Sequence, residues 1–279
     1  MMNKKTNSIM IKIVSYVLLG FGALICLFPM YWMVSTSLMT NVEAQIAGVW
    51  WPSAPQWENY VSIFTRFPFG RWTANTGVIV FWSVVGTLLS NTLVAYGFAR
   101  FRAPGSNILF MVALSAMMLP ETVTMIPQFQ IFSFLEWVNT PLPLTVPTFF
   151  TNPFAIFLLR QFFMTIPTEL EEAARIDGLG TFGILRKILI PLILPALTAL
   201  AIFEFSSKWN DFMRPLIYLR SADNFTLALG ISFFSSEQHT QWNYLMAAST
   251  IAIIPPLLIF FLGQKHFIEG IALSSGSKG

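Results

Sequence analysis

One short segment of the sequence combines carboxylates, alanines and a glycine in a spacing that suits noncovalent docking. It reads Glu172-Ala173-Ala174-Arg175-Ile176-Asp177-Gly178, and after nine further residues Ile188-Leu189-Ile190-Pro191 follows. The segment is a polar island between two long apolar stretches. A charged segment in such a setting needs a partner, so we interpret it as a docking surface for another protein.

The residues around this segment predict a short helix. Thr168 and Glu171 have the spacing of a capping box, in which Thr168 accepts from the amide three residues on and Glu171 reaches back to the Thr168 amide. Glu169, Glu171 and Glu172 lie in the first turns, where the helix dipole favours carboxylates. Gly178 fits the left-handed position that ends a helix. We expect a helix of about two to three turns, followed by an amphipathic helix over 182–190.

The spacing Glu-Ala-Ala, three residues, Gly, nine residues, Ile-x-x-Pro resembles the cytoplasmic loop signature of the membrane subunits of ATP-binding-cassette (ABC) importers. The chain departs from that family once, at Ile190, where leucine is usual. Six further segments resemble the carbohydrate-uptake branch, and in particular the smaller permease of maltose-type importers. They are 99–105, 118–120, 126–127, 157–163, 209–212 and 267–272.

This resemblance implies the type I permease fold in a machine of several parts. The parts are a second permease subunit, a cytoplasmic ATPase dimer that binds ATP and Mg, and an extracytoplasmic solute-binding protein. The chain itself would bind no cofactor. Glu172 would be the charged anchor in a groove of the ATPase, and Gly178 would set the helix angle. The residues expected to dock the ATPase are Glu171, Glu172, Ala173, Ala174, Asp177 and Gly178.

Composition places the chain in a membrane independently of the motif. Hydrophobic residues make up 55% and charged residues 10%, against roughly 25% charged residues in soluble domains, and the mean hydropathy is +0.64. The fold class predicted is an all-α polytopic membrane protein with six transmembrane helices and a cytoplasmic coupling-helix loop. Apolar windows predict the spans at about 13–38, 77–99, 107–127, 143–163, 188–207 and 245–263.

The distribution of Lys and Arg orients the bundle. With a cytoplasmic amino terminus, that side collects Lys4, Lys5, Lys12, Arg100, Arg102, Arg160, Arg175, Arg186, Lys187, Lys265 and Lys278. We therefore expect a multi-pass protein of a bacterial-type inner membrane with both termini in the cytoplasm. Residues 1–279 form one permease domain, and 165–190 form its coupling loop. The net charge of +3 follows from this bias and does not indicate nucleic-acid binding.

Enzyme chemistry has little support in the sequence. There is no G-x-x-x-x-G-K-[ST] loop for ATP phosphates and no H-E-x-x-H motif. We therefore expect a non-enzymatic subunit of an ATP-hydrolysing transporter. A stand-alone channel or an intramembrane enzyme is the distant alternative. For the signature itself, the alternative to docking is a solvated loop whose acids only cap a helix.

The solute is harder to place. A sugar or oligosaccharide is the first reading, and glycerol phosphate esters are the alternative, because their importers share this branch. Glu204, Trp209 and Asn210 are proposed for the solute path, since sugars favour aromatic faces beside hydrogen-bonding groups, although interhelical contacts would also explain them. We expect the binding protein to contact two regions, the tryptophans Trp50, Trp51 and Trp57 and the 214–241 loop. The alternative for the tryptophans is an interfacial aromatic belt.

Overall fold

The computed structural model describes residues 4–150, 152–235 and 240–274, and within them the regular elements are all helical. The chain divides into two compact units, Met1–Phe69 with Ile231–Ile253, and Gly70–Gly230 with Ile254–Gly279. The helices are α1 Lys4–Ser37, α2 Glu58–Thr65, α3 Phe69–Arg100, α4 Ser106–Ser115, α5 Glu121–Phe134, α6 Leu142–Thr145, α7 Pro153–Thr165, α8 Glu169–Ile176, α9 Thr181–Ile184, α10 Ile190–Leu192, α11 Leu194–Trp209, α12 Met213–Tyr218, α13 Leu227–Ser232, α14 Trp242–Ala252 and α15 Ile254–Ser274.

Four helical segments among the described residues are long and apolar enough to cross a membrane. They are Met10–Ser37, Phe69–Arg100, Leu142–Thr165 and Trp242–Gln264. Two further pairs pass the same test but are bent, Ser106–Met118 with Thr122–Phe134 by 103° and Thr181–Leu192 with Leu194–Trp209 by 77°. The described residues therefore hold four candidate spans, or six if each bent pair crosses once, at the six places predicted.

The first unit is held together by buried amide side chains. The Asn59 Nδ2 donates to the carbonyls of Ser37 (2.8 Å) and Met39 (2.9 Å), just where α1 ends. The Asn243 Nδ2 donates to the Asn59 Oδ1 at 2.9 Å. Because these amides are shielded from water, their hydrogen bonds fix α2 against α1 and α14.

The second unit has a core in which α8 takes part. Ala174 from α8 packs with residues from the end of α3, from α7, from the helix that starts at Thr181, and from α11. The helix over 181–192 contains a π-helical turn, Leu185–Leu189, which ends two residues before Pro191. Since proline cannot donate an amide hydrogen bond, a wider turn relieves the helix at this point. The main members of this core are Tyr96, Ile156, Leu159, Phe163, Ala174, Ile184, Leu189 and Leu200.

The span over Leu142–Thr165 is interrupted between its 3₁₀ turn Val146–Phe149 and α7. Two polar residues of α3 satisfy the freed backbone: the Ser90 Oγ donates to the Phe150 carbonyl at 2.8 Å, and the Asn91 Oδ1 accepts from the Asn152 amide at 2.8 Å. Asn152 then caps α7 by accepting from the Phe154 and Ala155 amides. Irregular backbone inside a span is stable only with such partners.

Candidate functional site

The C-terminal end of α8 forms as predicted. Gly178 has φ +83°, the left-handed conformation that glycine adopts without strain. The Leu179 amide donates to the Ala174 carbonyl at 2.9 Å, and the Gly178 amide donates to the Arg175 carbonyl at 3.0 Å. These two bonds are the Schellman pattern. They end α8 and turn the chain toward the helix that begins at Thr181.

The predicted capping box at the other end of α8 is wrong. Thr168 has helical angles, φ −68° and ψ −23°, and its side chain makes no capping hydrogen bond. An N-cap side chain normally reaches its target from an extended backbone, which Thr168 does not have. The Glu171 carboxylate, the other half of the box, contacts Arg100 instead.

Arg100, the last residue of α3, fastens α8 to that helix. Its Nε donates to the Glu171 Oε1, and its Nη2 donates to the Ile166 carbonyl at 2.8 Å. The side chains of Arg100 and Glu171 are only 10% and 4% exposed. One guanidinium thus holds both α8 and the segment that leads into it, in a planar geometry suited to arginine.

The residues predicted to dock a partner lie on two opposite faces of α8 and in the turn that follows it. Glu171 and Ala174 are buried, 3% and 3% exposed, and point into the chain's own core. Glu172, Ala173, Asp177 and Gly178 are exposed. The structure therefore separates a supporting face from an outward face.

The outward face of α8 also carries two apolar side chains. Ile176 is 87% exposed and Leu170 is 45% exposed. Single exposed apolar residues are common, but two of them beside Ala173 within one charged helix form a small patch of the kind seen at protein contacts. We call Leu170, Glu172, Ala173, Ile176 and Asp177 the α8 outer face.

A polar cavity of about 650 Å³ lies in the second unit. On its wall, the Glu204 Oε1 and the Lys208 Nζ are 3.9 Å apart, one helical turn along α11, and both side chains are largely buried. Thr87 and Arg214 also interact with the Glu204 carboxylate. The other polar residues of the lining are Thr124, Gln128, Thr148, Asn152, Ser207 and Tyr218.

Of the three residues predicted for the solute path, only Glu204 lines this cavity. Trp209 is 7% exposed and stacks on Phe205, with ring centroids 5.4 Å apart. Asn210 is exposed, and its Nδ2 donates to the Ser206 carbonyl at 2.9 Å. The sequence analysis missed Gln128 and Asn152, whose signal was a polar side chain in or beside an apolar span.

Two of the predicted surface tryptophans fold back onto α1. The ring centroids of Trp50 and Trp32 are 5.4 Å apart in an edge-to-face arrangement. Trp51 stacks on Tyr31, with ring centroids 6.4 Å apart. The Tyr31 hydroxyl donates to the Trp50 carbonyl at 3.0 Å. Such packing at the end of an apolar helix fits the interfacial belt. Residues 236–239 of the 214–241 loop lie outside the described residues.

No metal centre can be built from the part of the chain that the structure describes. No group of three or more histidine, cysteine, aspartate or glutamate side chains there could hold a metal ion.

Sequence comparison gives relatives of the same length. Residues 91–272 match the family described as binding-protein-dependent transport system inner membrane component. The arabinooligosaccharides transport system permease protein AraQ of Halalkalibacterium halodurans is 34% identical, with 100% of both chains covered. The sn-glycerol-3-phosphate transport system permease protein UgpE of Yersinia enterocolitica is 34% identical, with 94% of this chain and 96% of the relative covered.

Two solved structures have a similar fold. The first is a chain of a bacterial ABC transporter involved in the import of the acidic polysaccharide alginate, with a TM-score of 0.83 and 25% identity over 96% of this chain and 99% of that one. The second is a chain of a bacterial alginate ABC transporter in complex with an alginate pentasaccharide-bound periplasmic protein, with a TM-score of 0.64 and 14% identity over 92% and 94% of the two chains. At that identity the second shows the fold alone.

Proposed function

The chain belongs to the family of binding-protein-dependent transport system inner membrane components, and on that premise we propose that it carries a sugar or oligosaccharide across the membrane. It is a permease subunit of an ABC importer, similar over its whole length to a permease of an arabinooligosaccharide system. We take α8 to be the coupling helix and the polar cavity to be part of the solute path.

The observation that carries this proposal is how α8 is held. Its inner face is fixed by the Arg100–Glu171 pair and by Ala174 in the core, while its outer face is exposed. When a partner displaces the outer face of such a helix, the helices packed against its inner face move with it. In the proposed machine, the partner is the ATPase dimer, which carries ATP and Mg, and it contacts Glu172, Ala173, Asp177 and Gly178.

α3 provides the route from α8 to the cavity. Arg100, at the end of α3, contacts Glu171. Thr87 of the same helix lines the cavity, and the Asn91 Oδ1 accepts from the Asn152 amide at the break before α7. Thr87 and Arg100 are about 20 Å apart along one continuous helix. A rigid-body shift of α8 would therefore move one cavity wall, and ATP binding would bias the chain between inward- and outward-facing states.

The cavity favours a solute rich in hydroxyl groups. Its lining offers a carboxylate, two cations, hydroxyls and amides, which can donate to and accept from a sugar. A second candidate is a glycerol phosphate ester, because Lys208 and Arg214 could pair with a phosphate and a relative of 34% identity is named for sn-glycerol-3-phosphate transport. Glu204 disfavours that anion by charge repulsion.

The remaining parts of the proposal concern the assembly. We expect this chain to act as a single permease domain, 1–279, beside a second permease subunit that completes the translocation path. The coupling loop 165–190 and both termini face the cytoplasm in this arrangement, and the solute-binding protein delivers its load on the opposite side of the inner membrane.

Uptake by the reconstituted importer tests the solute assignment. The importer is placed in liposomes with its binding protein, and radiolabelled arabinooligosaccharide and sn-glycerol-3-phosphate are offered separately with ATP inside. The proposal predicts ATP-dependent uptake of the oligosaccharide and little uptake of the phosphate ester. The reverse preference would establish the second candidate and overturn the first.

A further inference from the structure

A second cavity, of about 640 Å³, lies beside the coupling helix in the same unit. Its wall is formed by the turn between α3 and α4, by Arg160 of α7 and by Thr168 at the start of α8. Three of its lining residues, Arg100, Arg102 and Arg160, are cationic, and none is acidic. The solute path described above does not use this cavity.

The three arginines differ in how far their charge is already engaged. Arg100 is paired with Glu171. The Arg160 Nε donates to the Phe98 carbonyl at 3.3 Å, and its guanidinium lies 4.4 Å from the centroid of the Phe110 ring, so it is positioned without being neutralised. Arg102 is exposed and has no hydrogen-bond or ion-pair partner among the described residues. The cavity therefore has an excess of two positive charges.

The first turn of α4 adds to the positive potential of this cavity. Gly105 precedes α4 with φ +81° and provides no side chain to cap the helix. Ser106, Asn107 and Ile108, the first residues of this ten-residue helix, all line the cavity. Backbone amides at a helix start, together with arginine side chains, are the usual ligands of a phosphate group.

The position of the cavity indicates which phosphate it would bind. It lies between the end of one apolar segment, Phe69–Arg100, and the start of the next, Ser106–Met118, which is where lipid headgroups meet a membrane protein. Phe101 and Ile108 line it and are 49% and 63% exposed, so the cavity also has an apolar side for an acyl chain. Basic pockets between helices at this level are suited to anionic lipids.

We propose that this cavity binds the phosphate of an anionic phospholipid. The binding cations are Arg102 and Arg160, and Arg100 connects the site to the coupling helix because it contributes to the cavity wall and holds Glu171. An occupied site would keep the turn after α3 and the start of α8 in place. The binding site is independent of the proposed function, whereas its hold on the start of α8 bears on transport only if α8 is the coupling helix.

Retained lipid is the direct test of the site. The complex that carries this chain is purified and placed in nanodiscs of phosphatidylcholine with a minor fraction of phosphatidylglycerol, and bound lipid is measured by native mass spectrometry. The variant is Arg102→Gln, the charge-preserving variant is Arg102→Lys, and the matched control is Lys12→Gln, which removes an exposed cation from α1. We expect Arg102→Gln to retain phosphatidylglycerol about tenfold more weakly, and Arg102→Lys and the control to bind it nearly as well as the original.

Two results would overturn the proposal. Equal retention by Arg102→Gln and the original chain would show that the cavity does not bind the lipid. Displacement of phosphatidylglycerol by millimolar inorganic phosphate would assign the site to free phosphate rather than to a lipid. Because retention is measured by mass, the result does not depend on whether an ATPase accompanies the chain, so failure of this site and failure of the coupling assignment are distinguishable.

Discussion

At the scale of single residues, the Arg100–Glu171 pair is the contact that fixes α8 to the end of α3. Both side chains are almost fully buried, and removing one partner of a buried pair leaves an uncompensated charge. Arg100→Leu or Glu171→Leu should therefore destabilise the chain by about 3–5 kcal/mol, while the double substitution should be far less destabilising than the sum. Thermal unfolding of the purified variants measures this, and additive losses would show that the two side chains do not act as a pair.

Glu43 gives a pH-dependent prediction outside the spans. Hydrogen bonds from the Ser53 hydroxyl and from the Thr40 amide lower the pKa of its carboxyl from 4.5 to about 2. A lowered pKa contributes stability above pH 4.5 that is lost as the pH falls toward 2. Hydrogen exchange at the Thr40 amide should stay slow at pH 4, and in Ser53→Ala it should quicken already near that pH. The same profile in both proteins would contradict this assignment.

The sequence contained enough information for some of these residues and not for others. Gly178 was predictable because a left-handed helix end has a local cause, whereas the capping box failed because Glu171 found a partner 71 residues away in the chain. Arg100 was recognised only as a charge at the end of a span. A buried ion pair depends on which helix ends meet, and that is a property of the tertiary structure.

At the scale of elements, side chains of α3 stabilise the break between the 3₁₀ turn Val146–Phe149 and α7. Asn91 is fully buried and supplies the acceptor for the Asn152 amide. Asn91→Leu would leave that amide unpaired and should cost about 1–3 kcal/mol and reduce uptake, because the break lines the cavity. Leu93→Ala, on an exposed face of α3, is the control and should have little effect on uptake. Normal uptake by Asn91→Leu would contradict a role for this break in transport.

Apolar windows predicted where the spans lie but not where they bend. Prolines 120, 127, 191 and 195 marked the two bent pairs in the sequence, yet proline is also found in ordinary kinked helices, so the angles of 103° and 77° were not predictable. The cavity residues were equally hidden, since Gln128 and Asn152 come from different helical segments and line one cavity only in the folded chain. Local sequence determines where a helix forms, whereas the bend angles and the residues that line the cavity depend on tertiary packing.

At the scale of the whole molecule, this chain is one subunit of a larger machine. Much of its apolar surface is outward, including most of α1 from Met10 to Phe28, which suits lipid and a second permease as neighbours. The α8 outer face is the one charged helix surface that the proposed function assigns to the ATPase. The central claim is therefore that Glu172 contacts an ATPase subunit while Glu171 supports α8 from behind.

Co-purification from native membranes tests that claim most directly. The tagged chain, its Glu172→Arg variant and the control Glu58→Arg, which reverses an exposed acid in the first turn of α2, are extracted in a mild detergent and their partners are quantified by mass spectrometry. The account predicts that the original and the control retain a second permease and an ATPase, and that Glu172→Arg keeps the permease but loses the ATPase about tenfold or more. Retention of the ATPase by Glu172→Arg at the original ratio, or its absence from the intact chain, would contradict the account.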